Sequence, residues 1–432
     1  MKLPFENSEY LERQARLFSE MPENTTLIIP TNDKKIRSND VVYPFRPNSY
    51  MLYMCGWKEE GVFVASNVDG EWGTTLFVNP RDTETEIWEG IRIGPEGAVN
   101  WPVTDTDSLE NFESKIRDLF GRTQKVFCID GVSQRVDELL AGVAEIGDPR
   151  IILDRMRRIK SKREIEHMRE AARIGSEAHI HAIMTTLPGF GEWEIQSAVE
   201  GYFMKSNSNW SFPSIVGGGD NGTVLHYNLN ECIVNDGDLV LVDAGCEVHG
   251  YASDITRTWP VNGKFSDSQR EIYELVLKAE IAGIEACQPG APWVNFHRAA
   301  SKVIAEGLID LNVLNCSLDD ALGHPDEFDG QFRNFFMHGS GHFLGLDVHD
   351  VGGGRKGDKE PGPLLEAGMV LTVEPGLYFA KWRTDIEIPP RYEGIGVRIE
   401  DDVLITDDGP EVLTAGCPKT VDEIERLVGT GA

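Results

Sequence analysis

The chain has 432 residues, 41% hydrophobic and 26% charged, with a formal net charge of −30 at neutral pH. That length favours more than one hydrophobic core. The acidic balance excludes nucleic acid as a partner, because phosphate binding needs clustered cations, and no apolar run is long enough to span a bilayer.

Residues Met1 to Asn7 lack the apolar segment of a secretory signal. Seven cysteines (Cys55, Cys128, Cys232, Cys246, Cys287, Cys316, Cys417) are scattered without a CxxC pair. Both features predict a cytoplasmic protein with reduced thiols. In chain order, Ser8–Met21 and Gln134–Ala144 are predicted helices, and Thr26–Pro30, Gly61–Ser66, Thr75–Asn79 and Val126–Ile129 predicted strands. This mixture gives residues 1–155 an α/β character with no chemistry of their own. The basic stretch Asp154–Arg163 is expected to be a linker into a second domain, residues 156–432.

A long amphipathic helix follows and is stopped by Pro188-Gly189. A second helix aligns Ile195, Ala198, Val199 and Tyr202 on one stripe. A third opens with Ser266 and Gln269 at capping-box spacing and buries Ile272, Leu275, Val276 and Ala279; a fourth runs from about Trp293 to Gly307. Between them lie strand-like runs at Asp238–Asp243, Tyr251–Thr258, Met369–Glu374 and Gly396–Thr406. Helices segregated from antiparallel strands predict an α+β fold. Gly217-Gly218-Gly219 and Gly352-Gly353-Gly354 are read as flexible turns, because neither has the context of a phosphate-binding loop.

Five segments place hard-metal donors at or near strand ends: Leu239–Asp243, Ser253-Asp254, His338–His342 with His349-Asp350, Thr372–Glu374, and Arg398–Asp402. A turn at His249-Gly250 lets Asp243 and Asp254 face each other across a hairpin. A carboxylate ending an apolar strand costs stability unless it is paired or bound to a metal. Spacing alone leaves both readings open.

The wording of these segments goes further. Asn221–Tyr227, Asp236–Cys246, Tyr251–Thr258, Phe336–His342, Leu344–Asp350 and Gly394–Asp401 resemble, in order, the signature of the pita-bread metallopeptidases. Among these the chain is most similar to the Xaa-Pro aminopeptidase branch, and Tyr43–Ser49 resembles that branch's smaller N-terminal α/β domain. The resemblance implies a C-terminal pita-bread catalytic domain in which Asp243, Asp254, His342, Glu374 and Glu400 hold two divalent ions. An oxygen-rich donor set with no thiolate favours Mn²⁺, with Co²⁺ or Zn²⁺ as substitutes. It also implies attack by a metal-bridging hydroxide on the bond before a proline, with Glu374 as general base and His226 and His349 supporting the intermediate and moving protons. His338, Tyr378 and Arg398 are then expected near the substrate, although Arg398 serves equally as the salt-bridge partner of a ligand carboxylate. The implied partners are peptides with proline second and further copies of the chain, as a homodimer or homotetramer.

A proline dipeptidase would share all five donors. Against it, Glu374 and Glu400 are separated by a short segment containing Pro389-Pro390-Arg391-Tyr392, which resembles the aminopeptidase version. A metal-free peptide-binding relative would be expected to have lost donors, and none is missing. His249 and His297 are assigned structural roles.

Overall fold

A computed structural model describes residues 2–143, 145–324, 328–352 and 362–431. It divides into two compact units, Met1–Arg157 and Arg158–Ala432.

The first unit is built on a six-stranded sheet. Its central strand Thr25–Pro30 is buried throughout, pairing antiparallel with Gly61–Ser66 and parallel with Lys125–Cys128. Residues with high strand propensity make these runs, and Ile28, Val62, Val64, Phe77 and Val126 meet Phe112, Ile116 and Val136 from the helices. The flanking helices include Asn7–Glu20 and Gln134–Leu140. The second of these is shorter than expected, and Ala144 lies outside the described residues.

The boundary between the two units falls in the basic stretch, which is largely helical rather than extended. Arg150–Arg158 is a helix, and Lys162–Thr185 follows almost at once behind a Ser161/Glu164 capping box. Arg157 is buried with its guanidinium 4.7 Å from the centre of the Tyr50 ring, so part of the positive charge is structural.

In the second unit the helices Lys162–Thr185, Glu192–Lys205, Asp267–Ala286 and Val294–Asp310 cover antiparallel strands. The expected capping box forms, with Ser266 as the helix cap and Gln269 answering it. Ile272, Val276 and Ala279 are fully buried in the main core. Strand Ile215–Gly218 pairs with Leu239–Ala244, which pairs with Ile255–Pro260; Val370–Val373 pairs with Asp401–Thr406, and Gly376–Tyr378 with Gly396–Arg398.

Two runs expected to be continuous are interrupted. Tyr251–Thr258 breaks between Ala252 and Ile255, and Gly396–Thr406 breaks between Arg398 and Asp401. Gly217 and Gly218 lie in a strand rather than a turn: a Cβ on Gly217 would stand 2.7 Å from the Gly222 amide nitrogen, so the close approach requires glycine. Gly353 and Gly354 lie outside the described residues.

Candidate metal centre and active-site cavity

Register places the acidic side chains side by side. Asp243 lies opposite Thr256 across the strand pair, and Thr256 bridges to Glu400 on its other side. Asp254 and Arg398 stand two residues before Thr256 and Glu400 respectively, and both line the cavity that Glu400 lines. From the opposite side, the Thr372 amide donates to the His342 carbonyl (2.9 Å) and the Glu374 amide to the Ser340 carbonyl (2.9 Å). The five predicted donors thus converge on one cavity of about 490 Å³.

Asp254, His342 and Glu400 each present a donor atom within 4.8 Å of the others'. His342 Nε2 is 3.4 Å from Asp254 Oδ2 and 3.8 Å from Glu374 Oε1. The other ring nitrogen, Nδ1, lies 3.0 Å from the Phe343 carbonyl oxygen. Donation there fixes the tautomer and leaves the Nε2 lone pair facing the carboxylates.

Buried carboxylates without a compensating cation resist ionisation. Burial, then the charges of Asp243, Asp402 and Glu374, push Asp254 well above the usual carboxylate range. Burial, then Asp254, Glu374 and Asp243, do the same to Glu400, with the Thr256 hydroxyl pulling the other way. Burial pushes Glu374 up to about 7, against the opposing effects of His342 and Arg398. Asp243 Oδ1 and Asp254 Oδ1 are buried with no hydrogen-bond partner among the described residues. Orphaned carboxylate oxygens beside an imidazole lone pair fit divalent cations well.

Around the donors stands a polar frame. Arg398 donates to Asp243 Oδ2 (2.6 Å), the Tyr378 hydroxyl (2.8 Å) and Thr256 Oγ1 (3.2 Å). The Thr256 hydroxyl donates to Glu400 Oε2 at 2.6 Å. His338 Nε2 is 2.7 Å from the Tyr378 hydroxyl, and its Nδ1 is 3.6 Å from Glu374 Oε2. Burial and the nearby Arg398 hold His338 well below the ordinary histidine range, hence neutral.

His226, His338, His349 and Arg398 all line the cavity, with apolar walls from Phe212, Pro213, Ile215, Leu225 and Val348. The His349 ring meets His342 edge-on, with centroids 4.3 Å apart. Tyr378, expected near the substrate, is fully buried and stands behind the lining, where its hydroxyl joins His338 to Arg398.

Sequence reasoning missed several supporting residues. His297, read as structural, places Nδ1 2.8 Å from Ser340 Oγ and so steadies the turn between His338 and His342. Asp402 accepts the Asp254 amide through both carboxylate oxygens (3.2 Å each). Arg257 is fully buried and donates to the Glu400 carbonyl (2.6 Å) and to Asp401 (2.7 Å). Its place in the Asp254–Thr258 segment was visible, but its partners, more than 140 residues away, were not.

Comparison with known proteins agrees with this geometry. Residues 166–407 match the model of metallopeptidase family M24, and residues 10–127 that of the aminopeptidase P N-terminal domain. The chain belongs to the M24 metallopeptidases, a hydrolase family with the pita-bread fold, and carries the aminopeptidase P type of N-terminal domain. It is 41% identical over 434 residues to the Xaa-Pro aminopeptidase of Haemophilus influenzae, covering 99% of this chain and 98% of that protein. Aminopeptidase PepP of Pseudomonas aeruginosa has a similar structure (TM-score 0.91, 37% identity, 99% and 98% of the two chains covered). So does zinc-substituted Escherichia coli aminopeptidase P in complex with product (TM-score 0.92, 35% identity, 99% of each chain).

Proposed function

We propose that this chain is a Xaa-Pro aminopeptidase that releases the N-terminal residue of peptides whose second residue is proline. One observation carries the reading: a single cavity gathers five metal-type donors, His226, His349 and an apolar wall, in a chain similar over its whole length to Xaa-Pro aminopeptidases.

Asp243, Asp254, His342, Glu374 and Glu400 would hold two divalent ions, with manganese favoured by the oxygen-rich donor set. When bound, the ions supply Lewis acidity and a nucleophile at neutral pH from water. Arg398 compensates the Asp243 charge and fixes its carboxylate, leaving the other oxygen free. Glu374 faces the cavity between His338 and His342, where it can accept a proton from water and return it to the leaving nitrogen. The exposed imidazoles of His226 and His349 lie where they can support charge on the scissile carbonyl oxygen and relay protons. Phe212, Pro213, Ile215 and Leu225 offer a wall that accepts a pyrrolidine ring, and no backbone N–H is demanded of proline.

Among the described residues no helix is long and apolar enough to cross a membrane; the reduced cysteines expected from the sequence support a cytoplasmic enzyme, and the family resemblance supports a homodimer or homotetramer. The test is chromatographic. With Mn²⁺, purified protein is expected to release arginine from Arg-Pro-Pro and to act far more slowly on Ala-Pro, while Glu374→Ala does neither. Cleavage of Ala-Pro alone would make it a proline dipeptidase, and cleavage of neither would leave only a binding role.

A further inference from the structure

Glu192 opens the helix Glu192–Lys205 and is fully buried, yet no cation pairs with it among the described residues. It accepts four hydrogen bonds. Oε1 takes the Gly218 amide (2.8 Å) and the Asn221 side-chain amide (2.9 Å). Oε2 takes the Tyr227 hydroxyl (2.9 Å) and the Cys232 amide (2.9 Å). In return, the Glu192 amide donates to the Cys232 carbonyl (2.9 Å).

All four donors belong to residues 218–232, the segment that carries Leu225, His226 and Asn228 into the cavity wall. That segment has one short 3₁₀ turn, Gly219–Thr223, and then no regular element before the strand Leu239–Ala244. It therefore lacks a ladder to fix its backbone. The His226 ring is exposed, and no described residue hydrogen-bonds to it, so its position depends on the backbone that bears it.

We propose that Glu192 is a positioning residue for His226: one buried carboxylate ties both ends and the middle of the loop and thereby sets where the imidazole stands. The proposal rests on the catalytic role given to His226 above. A carboxylate suits this task because it offers acceptors only, in two pairs, to four donors. Glutamine is nearly isosteric but fails, because its amide, turned either way, sets an N–H against a backbone N–H: that of Cys232 in one orientation, that of Gly218 in the other.

The experiment compares wild type, Glu192→Gln, His226→Ala and the double variant, by kinetics on Arg-Pro-Pro and by hydrogen exchange of residues 219–232. Displacement of His226 should lower kcat roughly 10- to 100-fold with a much smaller change in KM. Exchange in the loop should quicken, and the double variant should be no slower than His226→Ala alone. Ile424→Val, a buried core change in the helix Val421–Leu427, serves as the stability control and should keep kcat. If the losses of Glu192→Gln and His226→Ala multiply, or loop exchange is unchanged, Glu192 is only a structural carboxylate and the proposal falls. Should Glu192→Gln yield no folded protein, Tyr227→Phe removes one of the four donors and faces the same criteria. If wild type releases no arginine, the function proposed above fails, while the exchange measurement still judges the anchor.

Discussion

Thr256 offers the sharpest test of how the cavity is tuned. It is fully buried, donates its hydroxyl to Glu400 Oε2 and accepts from Arg398 Nε. Valine has nearly the same shape and strand preference, so the pairing of Thr256 with Asp243 should survive Thr256→Val. What is lost is a hydrogen bond to a carboxylate, worth about 1.5–3 kcal/mol. At about 1.4 kcal/mol per factor of ten, that predicts metal binding weaker by roughly 10- to 100-fold, in the range typical of residues that orient metal ligands. The direction follows from the charges. Burial and three neighbouring carboxylates raise the Glu400 pKa while Thr256 lowers it, so without the hydroxyl a proton competes better with the cation. Titration calorimetry of chelator-treated protein with Mn²⁺ should show the loss, and it should grow as pH falls. Thr256→Ser should recover most of the affinity. Equal affinities for wild type and Thr256→Val, or a serine variant as weak as valine, would refute the reasoning.

Without metal, stability should fall as pH rises. Glu374 is pushed up to about 7 by burial, and a group raised on folding stabilises the protein below its ordinary pKa and loses that contribution as pH passes the folded value. Calorimetry of chelated protein should give a lower Tm near about pH 8.5 than near about pH 5.5, and Mn²⁺ should reverse the order. Arg257→Met leaves Asp401 and the Glu400 carbonyl short of their buried partner; a cost of about 3–5 kcal/mol should lower Tm by about 10 °C. Glu280→Gln should shift Tm by less than about 2 °C: burial, then Asp401, raises Glu280 well above its usual range and so opposes its charge, and glutamine still accepts from Lys419. Gly341→Ala places a Cβ 2.0 Å from the Thr372 carbonyl oxygen. The strand must shift at a cost of about 1–3 kcal/mol, so thermal melting and Mn²⁺ titration should both show losses.

Local signals carried much of this architecture in the sequence. The Ser266/Gln269 box starts its helix where expected, and the turn before Tyr251 forms with positive φ at His249 (55°) and Gly250 (91°). The apolar run Leu239–Val242 delivers Asp243 at the end of a buried strand. What escaped depended on partners distant in sequence. A glutamate at the start of a helix looks like an ordinary interaction with the helix dipole, and nothing local marks Glu192 as the acceptor of Cys232, 40 residues on. His297 finds Ser340 across 43 residues. Charge alone did not show the form of the basic stretch, which is largely helical and buries Arg157 over an aromatic ring.

The two broken strands explain why the donors stand where they do. Asp254 and Glu400 each occupy a gap between strand segments. The Asp254 amide finds the Asp402 carboxylate, and the Glu400 amide finds the Thr256 carbonyl. Each break keeps its backbone satisfied while pointing a carboxylate into the cavity. The lining then holds four carboxylates, Asp243, Asp254, Glu374 and Glu400, with Arg398 as the sole Lys or Arg among the described lining residues. Arg398 is committed to Asp243, and Arg257 lies behind the wall, bound to the Glu400 carbonyl and to Asp401. Burying that many acidic groups against so little positive charge is unfavourable for the protein alone. Protonation relieves it at low pH, and divalent cations relieve it at neutral pH; the same imbalance that destabilises the unloaded cavity favours the metal.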